Sequence, residues 1–387
     1  ISLQIGGEEG AEGDPSRLTI AATLDQAVVP LDKKDSISGD ATIAATLITG
    51  SGKVEIERGR VSVGRSRIDF HGAIGPKPRG EGEAPAYRYE FVSDGSTLSP
   101  EDSTEPALEF LSRIAGSYDP SARRLAIDEL RIRTAGGEMS GSAAFDFVED
   151  GPPGISMALD VPQMPVAHVK LLWPWMAAGT ARRWAMNNLF GGTVTNSSLR
   201  YEVAPRRLGN GIPLTADEVS GHFEIAGARF DVAGRIPPMR DAAGKIDFRG
   251  NDVDILLESG VVYLPSGRVV AASDGTLTIR KANVAPTIGK LDMNVEGSAD
   301  AVTELASYEP IDAMRHIGMT AEEFSGKVSG NVKADIPLSG VGREVKLDWL
   351  VALEFEGLDV ARPFDGQVAT DATGSITVDP TRAVIKA

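Results

Sequence analysis

The 387-residue chain contains no cysteine, which excludes disulfides and thiol catalysis. It is compatible with an oxidising compartment without requiring one. Basic side chains are scarce: 39 Lys and Arg face 55 Asp and Glu, leaving a net charge of -16. Nucleic acid is thereby excluded as a partner, because its binding needs a basic surface that neutralises phosphates. Long apolar runs are missing as well. The longest, near the tryptophans, is about ten residues including Pro174, against roughly twenty needed to span a bilayer.

Catalytic patterns are equally thin. The four histidines, His71, His168, His222 and His316, are far apart and none is paired at metal-ligand spacing. Each is read as a surface or satisfied histidine. GSGKVE at 50–55 lacks the hydroxyl after Lys53 and the upstream glycine spacing of a phosphate loop. Gly-x-Ser-x-Gly is absent. Asp252 and Asp254 lack the glycine and distal glutamate of a calcium loop and read as the wet side of a strand. No enzyme, cofactor or metal site is expected.

What the chain does have is alternation. LTIAATL sets Leu18, Ile20, Ala22 and Leu24 on one face, and ATIAATL repeats this with Ile43, Ala45 and Leu47. Val54, Ile56, Val61, Val63, Ile68, Phe70 and Ile74 then alternate with Lys53, Glu55, Arg67, Asp69 and His71. Such a pattern predicts antiparallel strands with one apolar and one wet face. It resumes from Tyr118, again from about 198, and a third time from about 330 to the end.

Three helical regions interrupt it. The first is predicted over 104–115, with Leu108, Leu111 and Ile114 at helical spacing and Pro106 in its first turn. The second, 164–190, holds three of the four tryptophans (Trp173, Trp175, Trp184) and no carboxylate. Pro174 splits it into a short helix and a longer one from about Trp175 to Phe190, with Trp175, Ala178, Gly179, Met186, Leu189 and Phe190 on one face. Arg182 falls inside that apolar stripe and Trp184 points the opposite way. A third region follows Ser298, with Val302 and Leu305 before Pro310 and Ile311, Met314 and Ile317 after it; Thr320 with Glu323 resembles a capping box.

The expected segments are therefore 1–162 (strands and one helix), 163–192 (kinked helical pair), 193–297 (meander), 298–325 (helical) and 326–387 (strands), read as one continuous elongated domain. Ile1 and Ala387 sit in mid-pattern with no signal peptide, so a fragment of a longer polypeptide is expected. YDPSARRLAI at 118–127 echoes VDPTRAVIKA at 378–387, either as a true repeat or as a recurring Asp-Pro hairpin. A helix covers about two strands, so three helical regions cannot roof some twenty strands. The apolar faces must meet in a sandwich or barrel, or line a channel that something else fills, and the residues alone favour the sandwich.

The segment LLWPWMAAGTARRWAMNNLFGGTVTNSSLRYEV, with its Trp-Pro, Ala-Arg-Arg-Trp and Gly-Gly-x-Val elements, resembles that of the large AsmA-like proteins of Gram-negative bacteria. GSYDPSARRLAIDELRIRTAGGEMSGSAAF and the block from Ala301 to Leu338 are also similar to them. The resemblance covers most of the chain from about residue 15. It implies a long, twisted antiparallel β-sheet curled into an open groove, with the three helical regions at its edge or ends. It also implies a periplasmic location, an inner-membrane anchor outside this sequence, and transport of phospholipid toward the outer membrane, as in chorein-type bridge proteins. The partner would be phospholipid or another acyl-chain ligand, and the alternative is a scaffold for outer-membrane assembly. Inward positions of such a groove would include Ile43, Leu47, Val54, Ile56, Val61, Val63, Ile68, Phe70, Phe145, Phe147, Met157, Leu159, Phe223, Ile225, Phe230, Val232, Ile255 and Leu257. Ordinary core packing is the competing reading for each. Arg182 would reach an anionic headgroup at a groove mouth, or else water or a carboxylate.

Overall fold

The computed structural model describes residues 2–8, 16–30, 36–77, 86–174, 179–232, 234–309, 311–316, 318–339, 348–362 and 369–386. The chain is mainly β: 21 described strands form a long antiparallel sheet that is not closed into a barrel, accompanied by three short α-helices. In chain order these begin with β1 (Ser2–Glu8), β2 (Arg17–Pro30), β3 (Ser36–Ile48), β4 (Lys53–Val63), β5 (Ser66–Lys77), β6 (Ala86–Leu98) and β7 (Leu108–Asp119). Next come β8 (Arg124–Thr134), β9 (Gly137–Asp146), β10 (Gly154–Pro165), α1 (Val166–Leu172), α2 (Gly179–Asn188), β11 (Leu189–Phe190) and β12 (Thr193–Val203). The remainder are β13 (Val219–Phe230), β14 (Met239–Arg249), β15 (Asp252–Tyr263), β16 (Val269–Ile279), β17 (Thr287–Ser298), α3 (Ala299–Ala306), β18 (Phe324–Ser339), β19 (Asp348–Val360), β20 (Ala372–Asp379) and β21 (Arg382–Lys386).

Two compact units divide these elements: residues 1–186 with 196–212, and residues 187–195 with 213–387. In the first, each strand from β1 to β10 pairs with the next, and β12 pairs with β10. In the second, β13 to β21 follow the same meander and β11 pairs with β13. Strand-to-strand packing among the described residues runs between ladder neighbours. The described strands belong to a single sheet, not to the two separate sheets of the sandwich that the residues alone favour.

Nearly every long strand carries a bulge, for example between Ile56 and Gly59 in β4, Ser93 and Ser96 in β6, Ile127 and Leu130 in β8, Arg240 and Ala243 in β14, and Ser273 and Thr276 in β16. A bulge bends its strand and increases the local twist, so the bending is distributed over many strands. The extra residue sits at positive φ where it is Asp241 (52°) or Asp274 (48°), residues whose short polar side chains tolerate that conformation.

The predicted helix over 104–115 is not formed; that stretch is a loop followed by β7. Leu108 and Phe110 are buried while Leu111 is 48% exposed, a period of two that the three-residue spacing of Leu108, Leu111 and Ile114 concealed. Twelve residues of ladder with β6 and β8 outweigh a modest helical propensity. The second helix ends at Asn188, and Leu189 and Phe190 join a strand instead. Trp175 and Ala178 lie outside the described residues, as does Ile317. The third helical region shortens to α3, followed by single 3-10 turns at Ala313–His316 and Ala321–Glu323. Glu323 does accept the Thr320 N–H at 2.7 Å, as the capping pattern predicts. Both copies of the Asp-Pro echo form the same turn. Asp119 Oδ1 accepts from the backbone N–H and hydroxyl of Ser121, and Asp379 Oδ1 does the same with Thr381.

Glycines let neighbouring strands and rings close in. A Cβ at position 116 would collide with the Ala126 carbonyl and stand 2.7 Å from the Tyr89 hydroxyl, which itself donates to Ala126 O. Position 95 has open space around it. Gly116→Ala is expected to cost about 1–3 kcal/mol in urea unfolding, whereas Gly95→Ala should stay within about 0.5 kcal/mol of the parent.

Candidate functional site

Strand register gathers the apolar positions into continuous rows. In the first unit, Ile20, Ala45, Ile56, Gly72, Phe91, Ile114, Leu130, Gly141 and Leu159 are successive direct partners from β2 to β10. A neighbouring row runs Leu18, Leu47, Val54, Ile74, Tyr89, Gly116, Ile127, Ala143 and Met157. Ile43, Gly59 and Phe70 begin a third, while Val61 faces Ile68 and Phe145 faces Ile155. Neither of the two long rows contains a charged residue. In the second unit, Phe223, Ile246, Ile255, Leu277, Leu291, Ala334 and Trp349 form one row, with Ile225, Gly244 and Leu257 beside it.

Most of the positions expected to line a groove thus share one face within their unit. Ile56 is buried; Ile43, Leu47, Val54, Phe70, Phe145, Met157, Leu159, Phe223, Ile225, Phe230, Ile255 and Leu257 are half-buried. Val61, Val63 and Ile68 are more than a third exposed. Two positions stand off the strands: Phe147 follows β9 and is exposed, and Val232 lies beyond the end of β13 in irregular backbone. Sequence reading missed Phe91, Ile114, Leu277 and Leu291. Ile114 was hidden by the helical reading of 104–115, whose signal for a strand was the Leu108 and Phe110 alternation.

The opposite face is wet and carries ion pairs across strands. Arg60 and Arg67 both hold Asp69, Arg113 bridges Glu90 and Glu129, and Arg131 and Arg133 share Glu138. Exposed pairs of this kind contribute little each but mark the side that faces water. Asp252 and Asp254 are exposed, and Asp254 pairs with Arg280. Among the described residues no cluster of three or more His, Asp or Glu side chains is placed to hold a metal ion.

A helix roofs part of the apolar face of the second unit. In the second unit, Ala301 of α3 is fully buried, with Val302 and Leu305 packed on Met239, Val262, Val270, Ala272 and Val295. Beneath it, Met239, Val262, Val270, Gly297, Val328 and Phe355 are direct partners. Apart from Gly297 these are 2–8% exposed, whereas the Ile246 to Trp349 row is only half-buried. In the first unit, α1 and α2 are anchored by buried cations. Lys170 Nζ lies 2.6 Å from Glu105 Oε1 and donates to Met186 O, and Arg182 donates to Trp173 O and forms a two-armed pair with Asp102. Asp102 and Glu105 come from the loop between β6 and β7. Arg182 is therefore occupied by a carboxylate rather than presented to a headgroup: the buried guanidinium is paired with Asp102, whose side chain is half exposed. Trp184 is 45% exposed.

Two histidines differ in environment. His222 Nδ1 is 2.8 Å from Asp247 Oδ1, and the carboxylates of Asp247 and Glu224 raise its pKa above 6.5. His168 Nδ1 is 2.9 Å from Thr134 Oγ1, and burial lowers its pKa below 6.5. The stability from protonated His222 is complete below the unfolded value and is lost as pH rises through the folded one; for His168 the contribution is present at higher pH and lost as pH falls. NMR titration of the histidine rings is expected to give midpoints on opposite sides of 6.5, and a shared midpoint would contradict both environments.

The Lys170 and Glu105 side chains are 3% and 14% exposed. Glu105→Gln strands a buried ammonium and is expected to destabilise by roughly 3 kcal/mol or more, while the Lys170→Met/Glu105→Met double variant recovers much of that loss in denaturant titrations. Comparison with protein-family models, with curated proteins and with solved structures returned no match for this chain.

Proposed function

We propose that this protein is a lipid-binding and transfer module, in which the open apolar rows hold the acyl chains of phospholipid in transit between the inner and outer membranes of a Gram-negative cell. The observation that carries this reading is the uncharged row of direct strand partners from Ile20 to Leu159, half-buried apart from Ala45 and Ile56, with its half-buried counterpart from Phe223 to Trp349. Hydrophobic burial has no direction and follows apolar area, about 0.8 kcal/mol per methylene. A uniform face of Val, Ile, Leu, Phe and Ala therefore suits a ligand that slides rather than one read atom by atom. The resemblance to AsmA-like proteins supports the periplasmic setting and an inner-membrane attachment supplied outside this sequence. Catalysis has no part in this reading.

A scaffold for outer-membrane assembly is the second reading, in which clients would pair with a strand edge of the sheet. Such an edge is a template for pairing with another strand.

Val61 and Ile68 separate the two. They face each other on the apolar side and are 37% and 38% exposed, so opposite charges there should leave the fold intact. The Val61→Lys/Ile68→Glu variant is expected to retain roughly tenfold less phospholipid by native mass spectrometry, the loss of about two methylene contacts. Thr42→Lys, on the wet face opposite Arg60, should retain the parent amount. Lipid-free parent protein, or equal retention by both variants, would remove the transfer reading and favour the scaffold.

A further inference from the structure

The helical roof of the second unit has features of a moving part. α3 is eight residues long, and its N-cap, Ser298, makes no side-chain capping bond. Two helical turns are not stable by themselves in water, so its place depends on what holds it. Below, its Ala299, Ala301, Val302 and Leu305 pack with apolar side chains of the sheet. At its flank, the polar ties converge from the turn joining β15 and β16. Arg268 Nε is 2.7 Å from Asp300 Oδ2, its Nη1 is 2.7 Å from Glu304 Oε2, and its Nη2 is 3.2 Å from Glu322 Oε1. Ser266 Oγ adds a bond to Glu304 at 2.5 Å.

We propose that α3 is a displaceable lid, held shut by the Arg268 latch, whose opening joins the covered row from Met239 to Phe355 to the open apolar rows of the same face. One guanidinium holds three carboxylates, so the latch is asymmetric: without that cation, three like charges are left together and the tie becomes a repulsion. Beneath the lid lie Met239, Val262, Val270, Ala272 and Val295, the same kind of surface as in the open rows. Opening breaks no described polar contact with the sheet beyond those at Ser266 and Arg268, and the newly bared apolar area can be covered again by another apolar chain. The consequence for lipid rests on the transfer reading; the opening itself does not.

Hydrogen exchange of the full chain, read by mass spectrometry without lipid, tests it. In Arg268→Gln the amides of 301–306 are expected to exchange at least roughly tenfold faster, with β16 and β17 unchanged and an apolar dye bound more strongly. Arg268→Lys keeps the charge without the fork and should fall between the two. In the unmodified chain, raising salt to about 1 M should act in the same direction by screening. Unchanged exchange in 301–306, or acceleration of β16, β17 and β18 in step with it, would overturn the lid and make α3 part of the permanent core. A labelled phospholipid added to the same samples distinguishes the readings: selective opening without lipid binding upholds the lid and removes the acyl-chain role.

Discussion

An antiparallel sheet satisfies its own backbone but leaves every second side chain on the same side, and an apolar side has to be taken out of water by something. That demand governs this structure. Within each unit the strands pair as a meander, and the described strands form a single sheet. Among the described residues, the helical cover shown on such a face is one eight-residue helix in the second unit. The result is an uneven face. Val270 and Val328 lie at 2% and 8% exposure beneath α3, while Leu3, Ile5 and Ile385, on the outermost strands of their units, lie at 60%, 66% and 54%.

The same face is kept low by pairing bulk with emptiness. Phe70 lies where a Cβ of Gly59 would be, Phe248 occupies the space over Gly221, and Met239 that over Gly260. Phe91 then meets Phe70 of the neighbouring strand edge-on and stacks on Tyr89 of its own strand. A large side chain laid across a glycine contributes its area without standing up from the sheet. Bulges work with this arrangement, since each bends its strand while leaving the inward set of side chains on the same side. Packing in the floor of the face is thereby tight at these positions.

How far the sequence could be read follows from which force decided each segment. Strands β2 to β5 were legible because strict alternation of Ile43, Leu47, Val54, Ile56 and Phe70 with polar neighbours has no other regular interpretation. Segment 104–115 was misread because the leucines and isoleucine that fit a helix also fit a strand, and the deciding ladders to β6 and β8 come from distant sequence. Leu189 and Phe190 left the helical stripe for the same reason: β13 offered backbone partners. The oddity of Arg182 was visible, but its partner was not. Asp102 is 80 residues away in a loop that no local pattern marks. The site itself was legible as a set of faces and not as rows, because rows depend on register, and register is set by bulges that composition does not announce.

The buried charges then have a purpose that stability alone does not supply. A helix seated only by Ala, Val and Leu on a uniform apolar floor has many nearly equivalent positions, because hydrophobic contact is non-directional. Buried ion pairs are weak sources of net stability, yet they demand one geometry. Lys170 with Glu105, Arg182 with Asp102, and Arg268 with Asp300 and Glu304, which range from buried to partly exposed, each tie a helix to a neighbouring loop or turn. Pinning the helices by charge rather than by further apolar contact leaves the neighbouring rows uncovered. It also keeps the ionic chemistry at the helical ends, so that the open rows remain without a charge along their length.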